Sequence, residues 1–185
     1  MSPEKKAPDD DLTSELFTVK EKDYGKKYKQ HLLEQYKLYV EMVDKICSRR
    51  SNANTYFLSI NTLLLTAVGI LSRLGPSFLT FYPWWIALTS IAGILFCWTW
   101  LNTIRSYLQL STGKFQVILA IEKKLPLAMY QAEWAYLKPN NKVNRYTELT
   151  SVERWVPIIF AAIYFMLMLI ALVSASEGLL TTLFN

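Results

Sequence analysis

Along the 185 residues, polar and apolar positions separate into blocks: nearly all charges fall within residues 1–50 and 105–154, and three apolar runs occupy what is left. The runs cover residues 54–72, 83–104 and 155–176. A bilayer core about 30 Å thick is crossed by roughly 20 apolar residues of helix, and each run meets that length. The pattern predicts an all-α integral membrane protein with three transmembrane helices and a cytoplasmic helical region. A content of 52% hydrophobic and 19% charged residues points the same way, because three such runs in so short a chain leave too little polar surface for a water-soluble fold.

Between the runs the periodicity is also helical. From Lys26 to Val68 there is neither glycine nor proline, and Tyr28, Leu32, Tyr36, Tyr39, Val40, Val43 and Cys47 recur at steps of three and four. Residues 21–53 are therefore expected to form an amphipathic helix leading without a break into the first span. Residues 1–20 carry Pro3, Pro8, an acidic run and scattered lysines with no apolar period, and are expected to be a disordered tail. They contain no apolar core of a cleavable signal either. In residues 105–154, the positions Phe115, Ile118, Ile121 and Leu125 predict a second amphipathic run after Gly113, broken at Pro126. A short helix over Leu127 to Leu137 and a turn at Pro139-Asn140-Asn141 follow before the third span. Residues 177–185 remain as an outer tail, and no segment reads as a strand.

Charge orients this layout. Residues 1–50 hold eleven Lys and Arg, residues 105–154 hold eight, the loop after the first span holds Arg73 alone, and the tail holds none. A split of nineteen to one places the N-terminus and the 105–154 segment inside and the C-terminus outside. Arg49, Arg50, Arg105 and Arg154 stand at the inner ends of the spans, and Phe81, Tyr82, Trp84, Trp85, Trp98, Trp100 and Trp155 lie near the span ends, where interfacial anchors belong. Because the basic residues hug span ends without a nucleic-acid motif, the net charge of +5 implies anionic lipid headgroups as partners rather than nucleic acid.

The chemistry of the first span is its polar face. On a helical wheel Ser51, Asn54, Thr55, Ser59, Asn61, Thr62, Thr66, Gly69 and Ser72 share one side, and Ala53, Tyr56, Phe57, Ile60, Leu63, Leu64, Ala67, Val68 and Leu71 the other. Polar groups in hydrocarbon carry a desolvation cost, so this face is expected to meet protein or water. Three readings stand: contact between helices of one chain, a stripe of Asn54, Asn61, Thr62 and Thr66 lining the axis of an oligomer, or a groove for a ligand or lipid. The second span has a weaker polar set, Thr89, Ser90, Gly93, Thr99 and Asn102, while the third has only Tyr164 and is expected to be the most lipid-exposed. No span holds Asp, Glu, Lys or His at mid-depth, which argues against a coupled transporter. Charge selection in a pore would then fall to Arg49, Arg50 and Arg105 at the cytoplasmic interface.

Catalytic and metal chemistry find little support. His31 is the only histidine, and Glu122, Glu133, Glu148 and Glu153 have no ligand spacing to it or to a cysteine. Cys47 and Cys97 are fifty residues apart and read as unpaired packing residues. The expectation is a protein without enzymatic activity, metal or cofactor.

The strings Tyr36-Lys37-Leu38-Tyr39-Val40-Glu41-Met42, Arg49-Arg50-Ser51-Asn52-Ala53-Asn54-Thr55-Tyr56-Phe57-Leu58, Ile60-Asn61-Thr62, Gly113-Lys114-Phe115, Glu122-Lys123-Lys124-Leu125-Pro126 and Ala132-Glu133-Trp134 resemble the RipA family of bacterial inner-membrane proteins. The resemblance implies a homo-octamer in the bacterial inner membrane with no enzymatic activity. The layout also resembles the SLATT group of small membrane effectors, which implies perforation of the membrane in bacterial conflict systems; the third span and the outside C-terminus depart from that group. A pore gated through its cytoplasmic helices, with an unidentified activating ligand, is one function the sequence permits. A non-conducting membrane scaffold is the other function the sequence permits. Topology is testable directly: alkaline phosphatase fused to the C-terminus should be active and fused after Asn141 inactive, and the reverse pattern would reject the orientation.

Overall fold

The computed structural model describes residues 8–71, 73, 82–137 and 149–183, and all its regular elements are helices. They are α1 (Pro8–Leu16), α2 (Glu21–Tyr24), α3 (Tyr28–Leu71), α4 (Tyr82–Glu122), α5 (Met129–Leu137) and α6 (Leu149–Leu183). Three of them, α3, α4 and α6, are long and apolar enough to cross a membrane. The helix expected to run unbroken from residue 21 into the first span starts only at Tyr28, as the 44-residue α3; residues 21–24 form the separate α2, and Gly25, with φ 92°, turns the chain between them. In α4 the helix passes through Gly113 without a break and ends at Glu122, four residues before Pro126. α6 continues to Leu183, so the segment read as an outer tail is helical over most of its length. The turn expected at residues 139–141 lies outside the described residues.

The helices distribute over two compact units, one of residues 1–49 and 107–147 and one of residues 50–106 and 148–185. The first is the polar unit. Its core is Tyr36 and Val43 of α3 against Ile118 and Ile121 of α4, flanked by Leu32, Tyr39, Val40, Phe115, Val117, Leu125 and Tyr130. Every α3 member of this core lies on the stripe that the periodicity marks out. Cys47 does not join them: it is exposed, and Ile46, one residue earlier, is buried in its stead.

Residues 1–20 differ from expectation. The structure places α1 at residues 8–16, where a disordered tail is predicted, and packs Leu16 and Phe17 against the core of the polar unit. A nine-residue helix is marginal alone in water and periodicity cannot announce it. What holds it is tertiary: the two apolar side chains at its C-terminal end, and Lys124 Nζ 3.4 Å from the centre of the Phe17 ring.

One carboxylate organises the far end of the same unit. Glu122, 1% exposed, ends α4 and accepts hydrogen bonds from Tyr36 Oη at 2.9 Å, from the Tyr130 N–H at 3.1 Å and from the Gln131 N–H at 3.3 Å. The last two are first-turn amides of α5, which have no partner inside their own helix. Glu122 thus caps α5 from another helix, with its negative charge at the favourable end of the helix dipole. Burial, and then the bond to and charge of Glu122, push the Tyr36 phenol up to about 12, so it stays protonated and donating. Folding keeps Tyr36 neutral, so this contribution is present below pH 10 and fades as pH rises toward 12. Replacing Glu122 by Ala leaves three donors unmet in a buried site and should destabilise the polar unit by about 1–3 kcal/mol. Hydrogen exchange of the α5 amides in detergent, compared with the parent, reads this loss; unchanged protection would reject the capping role.

Candidate functional site

The second unit contains the polar residues of the first span. In α4, Ile86, Ser90, Gly93, Cys97, Trp100 and Ile104 are all buried, and they recur at alternating steps of four and three. That is the heptad spacing of a helix held in a seam between others. α3 presents Phe57 and Asn61 to the interior, and α6 presents Pro157, Tyr164 and Ala171, seven residues apart.

The seam is polar at its centre. Asn61 is fully buried and uses each of its polar groups: Nδ2 donates to its own helix at Phe57 O (2.8 Å), Oδ1 accepts from Cys97 Sγ (3.5 Å), and its backbone carbonyl accepts from Tyr164 Oη (3.1 Å). One residue of α3 thereby meets both α4 and α6. Gly93 makes the approach feasible, since a Cβ there would sit 2.5 Å from the Tyr164 ring. Two turns earlier on α3, Asn54 Oδ1 accepts from Trp100 Nε1 at 2.9 Å. The Trp100 ring stacks on Phe57 with centroids 5.7 Å apart and lies 6.4 Å from Phe160.

The stripe predicted from the wheel therefore divides. Asn54 and Asn61 turn inward with Phe57, which the wheel places on the apolar side, whereas Thr55, Ser59, Thr62 and Thr66 are exposed. Each of those four hydroxyls donates to the carbonyl four residues back: Thr55 to Ser51, Ser59 to Thr55, Thr62 to Leu58 and Thr66 to Thr62, at 2.8–3.1 Å. Such back-bonding satisfies the donor without any partner and lowers the cost of an apolar setting. Nor is α6 singled out as the most exposed span: the most apolar windows of α3 and α6 are each 17% buried, against 28% for α4.

The basic residues divide too. Arg49 and Arg105 are exposed. Arg50 is not: its Nε lies 3.6 Å from Glu153 Oε2, with both side chains less than one-fifth exposed. A carboxylate near the start of α6 thus offsets one of the three cations expected to charge the interface. Glu153 also precedes Pro157 by four residues, and proline has no N–H to return to the Glu153 carbonyl. Glu153, Tyr164, Trp100 and Gly93 were each visible as residue types, but no spacing within the chain links them to Asn61, Asn54 or Arg50.

Three apolar helices interlocked through buried amide, phenol and indole groups define a polytopic α-helical membrane protein. The chain belongs to the octameric membrane protein family (8xMP), whose family model matches residues 33–173. The matched region takes in most of the polar-unit core and the whole seam. No curated protein and no solved structure matches the chain. Membership places it among homo-oligomeric membrane proteins, in keeping with the octamer that the sequence resemblance implies.

The division of the stripe gives opposed outcomes for adjacent residues. Asn61→Leu removes the interhelical bond from Cys97, keeps the Tyr164 bond to the backbone carbonyl, and should lower the detergent melting stability of the single chain by roughly 0.6–2 kcal/mol. Thr62→Leu touches only its own helix and should leave single-chain stability unchanged. Equal losses from both would mean that the two side chains share one environment.

Proposed function

We propose that the chain is the repeating subunit of a homo-octameric assembly of the bacterial inner membrane, without enzymatic activity, in which the hydroxyl face of α3 lines a charge-neutral path along the common axis. The polar unit and N-terminus lie on the cytoplasmic side and the C-terminus outside, a reading supported by the nineteen-to-one distribution of Lys and Arg. The observation that carries the path is the exposed ladder of Thr55, Ser59, Thr62 and Thr66, which remains uncovered after the asparagines have been used within the chain.

Magnitude shapes this reading. Eight helices spaced about 10 Å apart on a ring have their axes about 13 Å from its centre and leave an opening roughly 16 Å across. Threonine side chains do not seal an opening of that width, and one added Leu per subunit does not dry it. Closure then falls to segments other than the stripe, with an activating ligand acting there. With no acidic or basic residue on the ladder and Arg50 offset by Glu153, ion selection falls to the exposed Arg49 and Arg105 at the cytoplasmic mouth.

A second reading, a non-conducting membrane scaffold, is favoured by the back-bonding: hydroxyls that donate to their own helix can pack dry against a neighbouring subunit. The two part on water. In a Cys47→Ser background, Thr62→Cys or Thr66→Cys in proteoliposomes should react with a membrane-impermeant thiol reagent, and the octamer should pass small solutes. An intact octamer with unreactive cysteines and no solute flux, with and without cell extract supplying an activator, establishes the scaffold instead.

A further inference from the structure

The polar unit carries apolar surface that its own fold leaves uncovered. α5 buries none of its residues, and beside it Thr112, Phe115, Gln116 and Leu119 of α4 form, with Gln131, Trp134 and Ala135 of α5, a groove of about 500 Å³. Not one of these lining residues is charged. On the far side of the same unit, α3 turns Leu38 and Met42 outward, 62% and 48% exposed and one helical turn apart, away from the buried face of Tyr36 and Val43. Neither feature belongs to an apolar membrane span, where exposed Leu and Met would need no explanation.

We propose that the Leu38–Met42 ridge of one copy docks into the α4–α5 groove of the next copy, closing the assembly into a ring through its polar units. This inference rests on the homo-oligomeric reading of the preceding subsection and assigns a surface to it. The occupant is a second copy because the chain belongs to an octameric family. Charge selects this groove over its neighbour: the cleft on the other flank of α5 is lined by Lys37, Glu41, Asp44 and Glu133, and covering it would strip water from four charged groups. Covering the neutral groove strips water from none. Beside the ridge, Glu41 and Lys45 are paired with each other at 2.8 Å.

Ridge and groove are different surfaces, so the contact is heterologous. A heterologous contact builds a ring of identical subunits where its rotation closes, as an octamer requires, whereas a self-complementary patch would stop at a dimer. Burial of apolar surface supplies the affinity, and the aromatic rings of Phe115 and Trp134 are the kind of anchors that dominate such contacts.

The test is site-specific photo-cross-linking in intact membranes. A benzophenone amino acid replaces Met42 in a copy with one affinity tag, co-expressed with a parent copy bearing a second tag; after irradiation, covalent dimers carrying both tags are isolated and their cross-linked peptides mapped by mass spectrometry. Adducts joining Met42 of one copy to residues 112–119 or 131–135 of the other are expected. An octamer whose Met42 adducts fall elsewhere, or that gives none, overturns the docking surface while sparing the oligomer. A chain that native mass spectrometry shows to be monomeric overturns both. As an independent reading, Met42→Lys should reduce assembly and Leu119→Glu combined with it should restore the ring, whereas loss without restoration counts against the pairing.

Discussion

A polar group inside hydrocarbon has to find its partner within the protein, and Asn61 is where this chain meets that constraint. Its carboxamide and its backbone carbonyl are taken up by Phe57 O, Cys97 and Tyr164. Much else in the membrane unit follows. Gly93 has to be a glycine because the Tyr164 ring occupies the space a side chain would need. The small residues Ser90 and Cys97 lie one turn either side of it along the same seam. Trp100 repeats the arrangement with Asn54, adding a stacked ring on Phe57 to an indole hydrogen bond. Apolar packing alone gives membrane helices little directional preference, since lipid tails offer similar contacts; these few directed bonds select one register among the helices.

The polar unit solves a different problem with a related device. Outside hydrocarbon, the difficulty is that α5 is too short to be stable by itself. Glu122 supplies what it lacks by capping two amides of α5 while accepting from Tyr36 of α3, so one buried carboxylate ties three helices. The Phe115–Tyr130 edge contact, with ring centroids 5.8 Å apart, adds apolar support beside it. In both units a single residue with several hydrogen-bonding positions does the work that a large core does in bigger domains. Among the described residues, the core cluster of the polar unit has only four buried members.

These interior bonds also change what is left for an assembly to use. With both asparagines committed inside the chain, the surface of α3 retains hydroxyls that are self-satisfied and therefore tolerant of water, protein or lipid alike. A tolerant surface is compatible with a wide, uncharged axis and equally with a dry subunit contact. Outside the spans the uncovered apolar residues of α3, α4 and α5 are less tolerant, because water disfavours them.

Much of the architecture was legible in the chain. Three runs of sufficient length, the glycine- and proline-free stretch from Lys26 to Val68, and the recurrence of Tyr36, Tyr39, Val40 and Val43 determined the spans, the long α3 and its buried face, because hydrophobic periodicity is a local property that each helix carries by itself. That α3 carries a polar face was equally plain. Which of its residues look inward was not: Asn61 and Thr62 share the polar face though they stand about 100° apart on the wheel, and the positions of Cys97 and Tyr164, 36 and 103 residues away, decide which of them is buried. The same holds for α1, for the capping by Glu122 and for the Arg50–Glu153 pair. Each depends on a partner remote in sequence, and without that partner's position the residue type alone leaves its environment open; packing in three dimensions supplies it.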